Sequence, residues 1–217
     1  MEENYYQPAS NHHLATYYGL ILAGSVGHLI LLILTLCSKR VQKNGVLINF
    51  YFIFCITLWF DAILCWTGHT TDLTEDIPPA IRILNASIRV SGMVMNATSS
   101  FMVVLRIWSS VNVAASTSIA PYMEFIDSPT LVIIPWLFGI PFLIAHLVVS
   151  IKNPDVVIRT PYFCAILNHQ LNLASVWTST FVMFFLLVLA LWTAVVLIRL
   201  RMSVSLFFYH IKINSYM

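Results

Sequence analysis

The chain carries no Lys, Arg, Asp or Glu between Arg159 and Arg199, and none from Tyr17 to Cys37. Uncharged apolar runs of that length have no soluble core large enough to bury them, so they must face lipid. The balance of the whole sequence agrees: 59% of the 217 residues are hydrophobic and 9% are charged, against about 25% charged in a soluble domain. An all-α, polytopic transmembrane bundle follows, because a bilayer leaves the backbone no partners except those within a helix or a closed barrel.

Five spans are expected. The first, residues 17–37, has 21 residues, which at 1.5 Å rise matches the ~30 Å hydrocarbon core. The second, 46–66, has the same length and Asp61 as its only charge. A third, 83–113, is inferred from its character. Arg89 and Arg106 bracket a run containing Asn96, Thr98, Ser99 and Ser100, and small polar residues suit the centre of a bundle, where helices approach closely and hydrogen-bond. The fourth, 130–151, includes Pro135 and Pro141 and is expected to kink, and the fifth covers 173–198. Residues 1–16 form a polar N-terminus without Lys or Arg, unlike the basic start of a cleaved signal peptide, so the first run reads as an uncleaved signal anchor. Residues 203–217 form a short tail, read as cytoplasmic, that either extends the last helix or stands in for a missing continuation.

Placing the N-terminus outside puts Lys39, Arg40, Lys43, Arg106, Arg199, Arg201 and Lys212 in the cytoplasm and leaves Arg82, Arg89, Lys152 and Arg159 on the other side. That seven-to-four excess follows the positive-inside rule and sets the C-terminus inside. Tyr17, Tyr18, Trp66 and Trp177 then form an outer aromatic belt, with Trp108 near the inner one.

Ionisable groups within spans are functional candidates because of what they cost there. Asp61 falls in the outer half of the second span, within reach of Arg89 on the third. The pair braces two helices or lines a ligand pocket, together with Trp66 and Trp177. His28 and His146 read as proton relays, ligand contacts or neutral interhelical hydrogen-bonders, the last being the commoner role. Asn49 and Asn96 read as interhelical hydrogen-bonding groups. Gly19, Ala23 and Gly27 recur every four residues and suggest a small-residue packing face on the first helix. Gly24-Ser25 is not a nucleophile elbow, since Ala23 occupies the place of the required glycine.

Cys65 and Cys164 both fall on the outer side. A disulfide between them would tie the outer loop over the bundle mouth, and two free thiols are the alternative. Cys37 and Cys55 read as reduced, and no cysteine has zinc-ligand spacing. Asn85-Ala-Ser87 and Asn96-Ala-Thr98 match the glycosylation sequon, but both lie in or beside the membrane. Ser116-Thr117-Ser118 reads as a solvated loop. No catalytic constellation, cofactor motif or metal cluster is visible, and the net charge of +2 offers no basic field for nucleic acid.

The order of these features is an outside N-terminus, a short basic first inner loop, a long polar third helix, a fourth helix with Trp136 and Pro141, and Cys164 before a long fifth. It resembles the first five helices of a G-protein-coupled receptor. Leu47-Ile48-Asn49-Phe50 and Val104-Leu105-Arg106-Ile107-Trp108 look like the receptor-like proteins of mushroom-forming fungi, and the resemblance covers residues 14–202. It implies a plasma-membrane protein that senses an extracellular ligand at its outer face and contacts a heterotrimeric G protein through Arg106, truncated after the fifth of seven helices. Arg106 lacks the acidic and tyrosine neighbours of rhodopsin-like receptors, and no cysteine marks the outer end of the third helix, which makes Cys65 the alternative partner of Cys164. A small transporter or channel subunit, or a non-signalling membrane assembly protein, are the competing classes.

Overall fold

The computed structural model describes residues 11–38, 44–68, 77–115, 129–160 and 162–214, with side chains described up to 202. Its elements are α1 (Asn11–Cys37), α2 (Gly45–Asp61), α3 (Ile63–Trp66), α4 (Pro79–Ala114), α5 (Thr130–Lys152), a 3-10 turn (Pro154–Val156), β1 (Val157–Arg159), β2 (Cys164–Ile166) and α6 (His169–Asn214). Four of the helices, α1, α4, α5 and α6, are long and apolar enough to cross a membrane. The protein is therefore an all-α membrane protein in class, with one small hairpin that hydropathy does not reveal.

Each helix begins and ends where its sequence lets it. Asn44 caps α2 by accepting the Val46 N–H on its side chain at 3.0 Å, satisfying a donor left over by the first turn. Pro79 sits at the start of α4, where its missing N–H costs nothing. Pro135 and Pro141 both lie inside α5. The backbone of α6 continues through Asn214, so residues 203–214 prolong that helix rather than leave it. The basic cluster Lys39, Arg40 and Lys43 and the stretch Ser116–Ser118 lie outside the described residues, as does the side chain of Lys212.

The second expected span is not one helix. It breaks at Ala62 (φ −83°, ψ 6°), leaving 17 residues of α2 and a single turn of α3. At 1.5 Å per residue α2 alone reaches about 26 Å, short of the hydrocarbon thickness.

α4 is the centre of the bundle: α2, α5 and α6 all pack against it, while α1 lies on α2. Of its most apolar stretch 44% is buried, against 6% for α6. The reason is in its side chains. Ser91, Thr98, Ser99 and Ser100 return their hydroxyls to carbonyls three or four residues back in their own helix, which satisfies them and leaves a slim surface for neighbours. Apolar clusters close the two ends. Leu64, Ile77, Ala86, Val157, Cys164 and Ile166 form one beneath the hairpin, and Val46, Met102 and Leu131 form the other.

Close approach is made at particular glycines. A Cβ on Gly139 of α5 would stand 1.9 Å from Met95 Cγ on α4, and one on Gly92 would stand 3.1 Å from Thr57 on α2. The face expected on α1 does not pack in this way, because Cβ positions at Gly19 and Gly27 meet nothing within 4 Å and Ala23 is exposed. α1 instead turns Gly24 to Leu58 of α2. A four-residue repeat of small residues shows that a helix can be approached, but not which side its neighbour occupies.

Gly139→Ala should therefore destabilise the bundle by about 1 to 3 kcal/mol, the usual cost of overpacking. Adding Met95→Ala should restore most of the loss in thermal unfolding followed in lipid nanodiscs. An unchanged melting temperature in the single variant would show that α4 and α5 are not in contact there.

Candidate functional site at the helix break

A helix that breaks in a packed interior releases carbonyls, and these need donors. At Ala62 they find Asn85 of α4, which is fully buried. Its Nδ2 donates to the carbonyls of Phe60 and Asp61 at 3.2 and 3.4 Å. Its Oδ1 accepts the backbone N–H of Cys164 on β2 at 2.8 Å. One amide thus joins the α2 break to the hairpin. Asn85 is the functional-site residue that sequence reading missed, having been read only as a glycosylation sequon. With no exposure and both ends engaged, it is no acceptor for a glycan.

One turn further along α4, Arg89 donates through Nη1 to Asp61 Oδ1 at 3.1 Å and to the Tyr17 hydroxyl at 2.7 Å. The ring of Phe163, in the hairpin turn, covers the guanidinium at 3.6 Å, a cation–π contact. Three helices and the hairpin therefore converge on one charge. The ion pair is only partly sheltered, with side-chain exposures of 26% for Arg89 and 20% for Asp61.

The hairpin is held in place from several sides. β1 and β2 pair antiparallel, with Val157 opposite Ile166 and Arg159 opposite Cys164. Thr160 closes the turn, its hydroxyl donating to the Phe163 carbonyl at 2.7 Å and accepting the Phe163 N–H at 3.1 Å. Tyr18 of α1 donates its hydroxyl to the Tyr162 carbonyl at 2.8 Å, and Tyr17 packs on the Tyr162 ring at 5.0 Å.

Of the expected pocket, the structure brings together Asp61 and Arg89 but neither tryptophan. Trp66 is 50% exposed and Trp177 64%, and Trp66 stacks on Trp59 at 4.8 Å, on the outer surface of α2 and α3. Cys65 and Cys164 are both free thiols, the second of the two alternatives their outer placement left open. They do share a neighbourhood, since each lies within electrostatic reach of the Tyr18 phenol. Arg106 lies towards the other end of α4, lining a groove of about 310 Å³ with Asn44, Ser110 and Leu200 among others.

The two asparagines expected between helices make cross-helix bonds. Asn49 donates to the Val132 carbonyl at 3.0 Å and accepts the Trp136 indole N–H at 2.9 Å. Asn96 Oδ1 accepts the Thr57 hydroxyl at 3.1 Å. His28 stacks on Phe54 at 5.0 Å and His146 is fully buried. Among the described residues no group of His, Cys, Asp and Glu is placed to hold a metal ion.

Comparison of the chain with protein-family models, curated proteins and solved structures finds no match in any of the three. The site must be read from its own chemistry.

Two outcomes are expected. Asp61→Asn and Arg89→Gln should each lower the melting temperature, and the double variant should lose less than the sum, because each single change strands a partly buried charge. Strict additivity would mean that the two side chains do not pair in the membrane. Burial pushes the Cys164 thiol up to about 11, against the opposing pull of Arg159 and Arg82. Since the thiolate is the nucleophile, iodoacetamide at pH 8 should label exposed Cys37 and spare Cys164, whose labelling should rise only near pH 11 or on unfolding. Equal labelling of both at pH 8 would place Cys164 outside the core.

Proposed function

We propose that this chain is a receptor-like membrane protein of the seven-helix type. In this reading it crosses the bilayer with its N-terminus and hairpin outside, and it senses a ligand at the hairpin end of the bundle. The second crossing is α2 continued by α3, since Gly45 to Trp66 spans 22 residues, about 33 Å at helical rise. The observation that carries the reading is the covered charge. Phe163 from the loop between α5 and α6 closes over Arg89, whose carboxylate partner sits where α2 breaks. A charge costs free energy in a membrane, and one held under a short hairpin at the end of a helix is positioned to respond to what arrives there.

Arg89 and Arg106 lie on the same central helix, 17 residues apart, roughly 25 Å along its axis. A displacement of α4 at the hairpin end is thereby presented at the opposite end, where Arg106 contacts a G protein in this reading. The plasma membrane is the compartment that fits such a role.

An N-terminal epitope should be accessible to antibody on intact cells. The full chain in nanodiscs should raise nucleotide exchange on heterotrimeric G proteins, and Arg106→Ala should reduce that exchange by about tenfold, equivalent to ~1.4 kcal/mol of lost interaction. An epitope reached only after permeabilisation would overturn the orientation. Exchange no faster than with empty nanodiscs would overturn the receptor reading, and solute flux from liposomes would assign transport instead.

A further inference from the structure

At the end of the bundle away from the hairpin, a groove of about 310 Å³ runs between the head of α2, the last turns of α4 and α6. Arg106, Ile107 and Ser110 belong to its α4 wall, Leu197 and Leu200 form its α6 wall, and Asn44 closes it beside α2.

The hydrogen bonds of this groove leave donors on offer. Asn44 commits its Oδ1 to the Val46 N–H at 3.0 Å, which orients the amide and leaves two N–H groups on Nδ2. Ser110 returns its hydroxyl to the Arg106 carbonyl at 3.0 Å, so it adds room rather than a donor. Arg106 brings a planar, permanently charged guanidinium whose fork of N–H groups matches a phosphate.

Charge points the same way. Among the described residues no acidic side chain lines the groove. The described acids, Asp61 and Asp155, end α2 and sit in the turn before β1, both at the hairpin end. Arg199 and Arg201, both exposed, stand on either side of Leu200 in α6. Glu124 and Asp127, between α4 and α5, lie outside the described residues.

Depth adds a further constraint. Arg106 follows Arg89 by 17 residues, roughly 25 Å along α4, against a hydrocarbon core of ~30 Å. With Arg89 near one interface, Arg106 reaches the other, where lipid phosphates lie and its stem can extend towards them. Ile107 is 49% exposed and Leu197 47%, so the groove opens sideways onto the lipid-facing surface.

We infer that this groove seats the headgroup of an anionic phospholipid, as basic pockets between membrane helices do. The phosphate lies between Arg106 and the Asn44 Nδ2, and the acyl chains leave past Ile107 and Leu197 into the bilayer. A headgroup with net negative charge is favoured, because the ammonium of a choline would meet Arg199 and Arg201. One lipid then joins α2, α4 and α6. The inference goes beyond the receptor reading and needs only that the helices lie in a bilayer.

The test uses the full chain in phosphatidylcholine nanodiscs, without G protein. Two photoprobes with identical diazirine-bearing chains, a phosphatidylglycerol and a phosphatidylcholine, are compared at equal mole fraction. The phosphatidylglycerol should label residues 107–111 and 197–200 about tenfold more, equivalent to ~1.4 kcal/mol, and glycerol 3-phosphate should not compete. Arg106→Gln removes the fork, and Asn44→Asp keeps the cap acceptor but sets a carboxylate in place of the N–H groups. Each should cut the label about tenfold with helical content by circular dichroism unchanged, while Arg199→Gln, outside the groove, should cut it far less. Equal labelling by the two lipids in the unaltered protein would overturn the inference whether or not the variants fold. Competition by glycerol 3-phosphate would overturn the lipid as occupant. An equal loss in Arg199→Gln and Arg106→Gln would show a diffuse field in place of a site, and undiminished label in well-folded Arg106→Gln would overturn it too.

Discussion

The carbonyls of Phe60 and Asp61 are released where α2 breaks, and much of the hairpin end depends on the side-chain amide that takes them up. Asn85 takes both carbonyls and passes its own oxygen to the backbone of Cys164. That bond fixes β2 on α4, which fixes the turn that lays Phe163 over Arg89. Without a donor at Asn85 the break at Ala62 would leave buried carbonyls unpaired, at a cost of about 1 to 3 kcal/mol each. The break, the strap and the ion pair are therefore consequences of one another.

The polarity of α4 serves two purposes that composition alone does not separate. Along its middle the hydroxyls are turned inward on their own helix, and what they provide is slimness: Gly92 lies close to Thr57, and Gly139 meets Met95 at a distance that leaves no room for a methyl group. Asn96 in that stretch reaches across to α2, accepting the Thr57 hydroxyl, and towards the hairpin Asn85 and Arg89 reach out to the break and the carboxylate. Packing polarity and site polarity thus occupy different stretches of the same helix.

Sequence reading captured what length and charge determine. The long apolar helices, the central place of α4 and the Asp61–Arg89 approach follow from run length, small polar residues and the cost of an unpaired charge. Which way a side faces was not legible, because lipid and bundle interior are equally apolar. Trp66 and Trp177 look outward, and the small residues of α1 meet open space at Gly19 and Gly27. The break at Ala62 was hidden because no Pro or Gly marks it. What marks it is an asparagine more than twenty residues away in sequence, with an ordinary sequon as its only local signature. Strands of three residues are too short to show an alternating pattern.

His28 and His146 show how the same local bond leads to different chemistry. Each directs Nδ1 to the carbonyl four residues back, at 2.7 Å, which fixes the tautomer and leaves Nε2 as the acceptor when the ring is neutral. Around His28 the neighbours are aromatic faces, Phe54 stacked and Phe50 and Tyr51 tilted against it, and the ring acts as one more apolar plate between α1 and α2. Around His146 the neighbour is the Asn172 amide of α6, which also holds the end of the hairpin at the Ile166 carbonyl. Counting from the sequence alone, both are histidines within spans. The difference is set by what the facing helix brings: aromatic plates of α2 for His28, and for His146 a polar side chain of α6.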